Sequence, residues 1–312
     1  MNSINKLTII LPLFGRENYT QNWLSDNYYK YVNYLVADGG KNDNNQLIFN
    51  DIKRTNIKYI RYPVDKDCKT FVKKIFDVSK YIKTPYVFLA DNDDILNIKN
   101  IFDCIKYLEF NRSYQLASGK IAYIKYYKID TYSLTPYLHS SRELSNLNFK
   151  ESIKVYLSPT LKNNKYLWYS VYRTEIFQKV WENMFKAEID DWHLLERSQT
   201  VFTLFEGKFK FINNIHYIRR VIKGSSHAEN IAKSSNHFDI KIFKDKIFYK
   251  KLMNFSKYVE SKFKYQNFHT DYIYFAKNFK SKVGFIYYMK LIILRVFKMR
   301  LKYILNLINI LY

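Results

Sequence analysis

The chain has 312 residues, 47% hydrophobic and 19% aromatic, and its 51 Lys and Arg against 28 Asp and Glu give a formal net charge of +23. This composition excludes global disorder and lets one large domain, or a domain with an appendage, bury a core without disulfide staples. Cys68 and Cys104, the only cysteines, suit neither a zinc nor a disulfide framework, and the charge excess favours an anionic partner: membrane, phosphorylated substrate or nucleic acid.

Read in chain order, the first hundred residues alternate two periodicities. "LTIILPLF" (7–14) reads as a strand and leads into helix-like 19–32. "NYLVADGG" (33–40) is a second strand, 44–55 a helix, and "IKYIRYP" (57–63) a third strand. Residues 68–82 place Phe71, Ile75, Val78 and Ile82 at helical spacing, and "YVFLA" (86–90) supplies a fourth strand. Such alternation predicts an α/β fold with a mostly parallel, Rossmann-like sheet and flanking helices. Ligands in such sheets gather at the strands' carboxyl ends, where both "ADGG" and "ADNDD" fall. Cys104 reads as a buried thiol on a helix beside Ile101 and Ile105.

The middle is less regular: 115–130 and 166–173 look like strands that add a mixed or antiparallel portion. A helix over 192–207 and a strand region through "KFKFINNIHYIRRV" follow. From about residue 237 the sequence turns Lys- and aromatic-rich and helical, so the division expected is 1–230 and a basic helical extension, 231–312. No apolar run reaches the roughly 18–20 residues of a spanning helix. In 283–312, Arg295, Lys298, Lys302, Asn306 and Asn309 share one helical stripe beside a wide apolar face. That pattern suits an anionic membrane surface; the other reading is a helix packed on the domain or on a second subunit. The N-terminal stretch has no signal-peptide pattern, which sets the expectation of a reducing, cytoplasmic compartment.

The three acids of "ADNDD", Asp91, Asp93 and Asp94, are the strongest chemical feature. Mg²⁺ and Mn²⁺ take oxygen ligands and share their shell between one or two carboxylates and substrate phosphates. An acidic turn ending a buried strand is the plain alternative, and Asp94 can instead favour the start of the next helix, where Asn97 also makes a good cap.

With these residues in view, the first hundred positions resemble the family 2 glycosyltransferases of GT-A fold, through "NYLVADGG" and "KTPYVFLADNDDIL". The resemblance implies a nucleotide-sugar donor, with Asp38 near the base, Asp91 near the ribose and Asp93 on a Mn²⁺ or Mg²⁺ bridging the diphosphate. The family's first acid in that turn is Ala37 here. A second match, "EIDDWHLLERSQTVFTLFEGKFKFINNIHYIRR", implies Asp191 as catalytic base, with Asp190 as its neighbouring acid. An inverting transfer needs such a carboxylate opposite the leaving group, and the other acid can cap the helix that follows.

Arg16 can approach the nucleotide, and Arg219, Arg220 and Lys223 can close over the diphosphate. His227 can add a metal or phosphate contact or simply lie on the surface. His216 reads as core, and Lys69 and Lys73 as solvated helix lysines. The aromatic run 166–177 can wall a sugar acceptor or pack in the core. The resemblance, covering about residues 5–225, implies a glycan or glycolipid acceptor in assembly of a bacterial surface glycan, lipopolysaccharide or capsule, at the inner membrane face. Two other classes compete. A non-enzymatic basic module binding anionic lipid or nucleic acid has only the net charge behind it, and no motif for specific nucleic-acid recognition. A nucleotidyltransferase would want a glycine-rich loop where "LFGRE" has one glycine.

Overall fold

The computed structural model describes residues 6–52, 54–128, 131–137, 167–221 and 245–273. Its first half is a parallel block: β1 (Leu7–Leu13), α1 (Glu17–Asn27), β2 (Asn33–Asp38), α2 (Asn44–Asn50), β3 (Ile57–Arg61), α3 (Cys68–Ser79) and β4 (Tyr86–Leu89). Leu7, Ile9, Ile10, Leu11, Val36, Val87 and Phe88 have no exposed surface. Apolar residues at consecutive positions mean that both faces of these strands are covered, as parallel sheets require. The strands pair in the order β3-β2-β1-β4, with Ile10 beside both Leu35 and Leu89. This register brings the turns after β1, β2 and β4 to one edge.

The second half is β5 (Ile95–Leu96), α4 (Ile98–Phe110), β6 (Tyr114–Lys128), β7 (Thr131–Tyr137), β8 (Val171–Arg173), α5 (Thr174–Lys186), α6 (Trp192–Glu206), β9 (Lys208–Val221) and α7 (Lys246–Phe263). Among the described residues the sheet continues past β4 through β8, β6, β9 and β5, with β7 on β6. Here β6 and β9 run parallel and the other pairings are antiparallel. The fold is therefore α/β, with a parallel half, a mixed half and helices alongside.

Side-chain chemistry fixes the helix starts. Asp67 and Thr70 form a reciprocal capping box on α3, which satisfies two donors at its first turn. Asn97 caps α4 by accepting from Asn100 N–H, so Asp94 is left for another task. Among the described residues of the strand read over 166–173, Val171–Arg173 alone are extended. From Thr174 the chain coils, because Ile176, Phe177, Val180, Trp181 and Met184 form a buried helical stripe. That stripe faces α3, with Phe185 stacked on Phe76 at 5.1 Å and Trp181 edge-on to Phe71 at 6.3 Å.

α7 buries Phe248, Leu252, Phe255 and Val259. It packs on α6 through Phe202–Phe255 at 5.6 Å and Phe205–Phe263 at 3.6 Å. The boundary expected near residue 230 and the basic apolar stretch 283–312 lie outside the described residues. No described helix is long and apolar enough to cross a membrane.

Candidate active site

The turn after β2 is built on buried charge. Asp38 has no exposed surface; its carboxylate accepts from Gly40 N–H and Tyr59 Oη, both at 2.7 Å, and lies 3.4 Å from the Arg61 guanidinium. Beneath it, Lys74 reaches from α3 to donate to Leu13 O at 3.1 Å and to pair with Asp65. Burial raises the Asp65 pKa and lowers that of Lys74, each opposed by the other's charge. Asp65 presses against the backbone at Gly39: a Cβ there would sit 2.5 Å from the carboxyl carbon. Only glycine tolerates that approach.

At the end of β4, one oxygen from each of Asp91, Asp93 and Asp94 falls within 4.8 Å of the others. Asp93 is paired with Arg16, which sits at φ 63° directly before α1. A non-glycine residue in the left-handed region is uncommon and points to constraint by its surroundings. Part of that constraint is Asn92, whose amide donates to Thr20 Oγ1 at 2.9 Å and to Arg16 O at 3.3 Å. Burial first, then repulsion from Asp91, raises the Asp93 pKa against the pull of Arg16. Asp94 is pushed up to about 7 by burial and by both neighbouring carboxylates.

Two stacked tyrosines hold the triad in place. Tyr169 and Tyr217 lie 4.0 Å apart. Tyr169 Oη donates to Asp91 Oδ2 at 2.5 Å, and Tyr217 Oη accepts from Asp91 N–H while donating to Asp94 Oδ2 at 2.7 Å. Asp94 also accepts from Arg220 N–H at 2.9 Å. Asp94 thus ties β9 to the turn, while Asn97 supplies the cap of the following helix. Asp91 and Asp93 remain the pair best placed for a cation. Three carboxylates this close, with their repulsion only partly offset, fit a divalent ion with oxygen preference.

The two arginines of β9 separate. Arg219 lies 4.0 Å from Asp94 and 5.5 Å from the Tyr169 ring centre. The Arg220 side chain is engaged with Asp26 on α1 at 2.8 Å, and its backbone N–H donates to Asp94. Lys223 and His227 lie outside the described residues.

Asp190 and Asp191 precede α6, and Asp191 O accepts from Leu194 and Leu195 N–H in its first turn. Lys251 of α7 binds the Asp190 carboxylate at 3.1 Å and its carbonyl at 3.2 Å. Both aspartates act on the buried thiol of Cys68, pushing it further above the usual range after burial itself. The "EIDD" segment is therefore brought to the N-terminal end of α3. Lys69 and Lys73 make surface pairs with Glu188 and Asp77. His216 is buried between the carbonyls of Tyr169 and Lys120, and Cys104 is buried.

Several participants were not read from the sequence: Tyr169, Tyr217, Asn92, Asp65 and Lys74. Lys74 carried a signal, since it falls on the apolar stripe of α3 with Phe71 and Val78. Glu196 on α6 was also missed; burial raises its pKa, with Arg219 opposing and Asp91 adding to the shift. Of the two readings of the aromatic run 166–177, the described residues follow the core one: Trp168, Tyr169, Tyr172 and Phe177 are all buried.

The chain matches no protein-family model and no curated protein. Among solved structures it is similar to residues 1–349 of TarS from S. aureus in complex with UDP-GlcNAc, at 15% identity over 84% of this chain and 74% of that one, with a TM-score of 0.49. It is also similar to the mannosyltransferase PcManGT from Pyrobaculum calidifontis in complex with GDP-Man and Mn²⁺, at 11% identity over 90% and 75% of the two chains, with a TM-score of 0.47. Identities this low and superpositions this loose leave the chemistry to be argued from the side chains.

Proposed function

We propose that the chain is a metal-assisted glycosyltransferase of family 2 type, moving a sugar from a nucleotide-sugar to a saccharide or lipid-linked glycan with inversion at C1. The observation that carries this reading is the triad of Asp91, Asp93 and Asp94 at the carboxyl end of β4, beside the tight turn after β2. Asp93 and Asp91 would hold Mn²⁺ or Mg²⁺. Such an ion supplies Lewis-acid stabilisation of the charge that develops on the departing diphosphate.

The remaining chemistry belongs to the protein. Arg219, beside the triad, and Arg16 add fixed positive charge on the leaving-group side. Asp191 takes the proton of the acceptor hydroxyl as its oxygen bonds to C1 and the C1–O bond to the diphosphate breaks with its electron pair. Asp38 has both oxygens engaged, so it acts on the base pocket by shaping the Gly39–Gly40 turn. A setting at the inner membrane face, in lipopolysaccharide or capsule assembly, accords with the charge of +23. Removing 283–312 is then expected to release the protein from anionic vesicles; unchanged binding in a flotation assay would exclude that role.

The central test is hydrolysis of nucleotide-sugars, UDP-GlcNAc and GDP-mannose among them, with and without Mn²⁺. Asp93→Ala is expected to abolish the metal-dependent turnover. Undiminished turnover in that variant would reject the site assignment.

A further inference from the structure

We infer that Trp192 is the surface on which a pyranose ring of the acceptor lies, which makes the acceptor a saccharide presented by one ring face. This deepens the transferase reading and rests on it. Three of the four tryptophans are buried, Trp23 at 1%, Trp168 at 7% and Trp181 at 1% exposure, whereas Trp192 is 54% exposed. Leaving half an indole in water forgoes a sizeable part of the roughly 1.5–3 kcal/mol that burying a large apolar side chain gives. Here it occurs at the residue immediately after Asp191.

The indole is also backed. It leans on Phe71 at 5.6 Å and 55°, and Phe71 stacks on Trp168 at 6.4 Å and 15°. Trp168 in turn meets Trp181 edge-on at 5.5 Å. An aromatic column therefore runs from the core to the surface and ends in an exposed ring beside the proposed base. Because Phe71 lies one turn into α3, whose start is fixed by the Asp67 capping box, the platform is tied to the same helix that carries Lys74.

The surroundings select the ligand. A pyranose has a face of C–H groups, which suits the electron-rich face of an indole, and a rim of hydroxyls, which suits carboxylates. Trp192 has both beside it, since Asp190 and Asp191 precede it in the chain. A phosphate or an anionic lipid headgroup offers no C–H ring face to lie on an indole. An acyl chain would need a broader apolar surface than one indole. A sugar laid on Trp192 would present hydroxyls to Asp191, which is what proton removal requires.

The test uses the full-length protein with Mn²⁺ and UDP, and methyl glycosides of glucose, galactose, mannose and N-acetylglucosamine as probes. Glycerol serves as a polyol with no ring face. Trp192 should dominate iodide quenching of indole fluorescence, so at least one methyl pyranoside should protect it saturably, and glycerol should not. In saturation-transfer NMR the ring C–H signals should weaken by about ten-fold in affinity for Trp192→Ala and recover in Trp192→Phe, the scale of one aromatic contact. Protection absent up to about 100 mM of every pyranoside, well beyond the millimolar range of weak contacts, would overturn the inference. So would equal protection by glycerol, or undiminished signals in Trp192→Ala. Failure of the transferase reading looks different: no nucleotide-sugar hydrolysis by the wild-type protein, with Trp192-dependent pyranoside binding intact.

Discussion

Two acidic regions flank the candidate site, and they are built on opposite principles. At the ends of β2 to β4, Asp38, Asp65, Asp93 and Asp94 are buried, and each is tied by tyrosines, backbone N–H groups or a cation. At the start of α6, Asp190 is exposed and held by one lysine of α7, and its neighbour Glu188 makes a surface pair with Lys69. Burying charge costs stability unless every group is paired, so the first region spends the fold's cohesion on position. The second spends little and stays accessible. A donor phosphate needs a preset cradle, while an acceptor must arrive and leave, and the contrast fits that division.

The contrast can be broken by substitution, with the largest effect expected at the accessible region. Asp191→Asn should lower glycosyl transfer by about 10²–10⁴-fold, the usual weight of a general base, while leaving the thermal melt nearly unchanged. Asp190→Asn should cost far less activity and, having lost only a surface pair, under about 1 kcal/mol of stability. Equal losses in the two variants would erase the distinction between them.

The buried region should respond in the opposite sense. Lys74→Met leaves Asp65 buried and uncompensated and should destabilise by about 3–5 kcal/mol in urea unfolding. Adding Asp65→Leu should restore much of that loss. Gly39→Ala forces the Asp65 carboxylate to move and should cost about 1–3 kcal/mol, the range of overpacked sites. Smallest is Asp67→Ala, which removes the α3 cap and should cost about 1 kcal/mol. Because α3 backs Trp192 through Phe71, this last variant also sharpens the comparison: a melt shift without a loss of pyranoside binding would show that the platform needs packing more than the cap.

How much of this was legible in the sequence depends on range. The strands of the parallel half were readable because residues such as Ile9, Ile10 and Leu11 are apolar without interruption, which only a doubly covered strand explains. Asp91, Asp93 and Asp94 were readable for the same reason, as carboxylates following such a strand. The helix from Thr174 went unread because the aromatic run through Trp168, Tyr169, Tyr172 and Phe177 shows no change of period, and only contact with α3 decides where coiling starts. Tyr217 stood far from Asp91 in the chain, and no local pattern marks a partner 126 residues away. The pairing of Arg220 on β9 with Asp26 on α1 was equally invisible, since the two lie far apart in the chain.

The packing of α7 on α6 has a practical side: it dictates where the chain can be cut. Ending it at residue 230, where the composition shifts, would strip Phe255 and Phe263 from Phe202 and Phe205 and open an apolar strip on α6. It would also take away Lys251 and with it the hold on Asp190. Exposed strips of that kind invite self-association, so a shortened protein could lose solubility and turnover together for reasons unrelated to membranes. Truncations meant to isolate the contribution of the last thirty residues should therefore keep α7 together with Phe268 and Tyr272, which are buried beyond it.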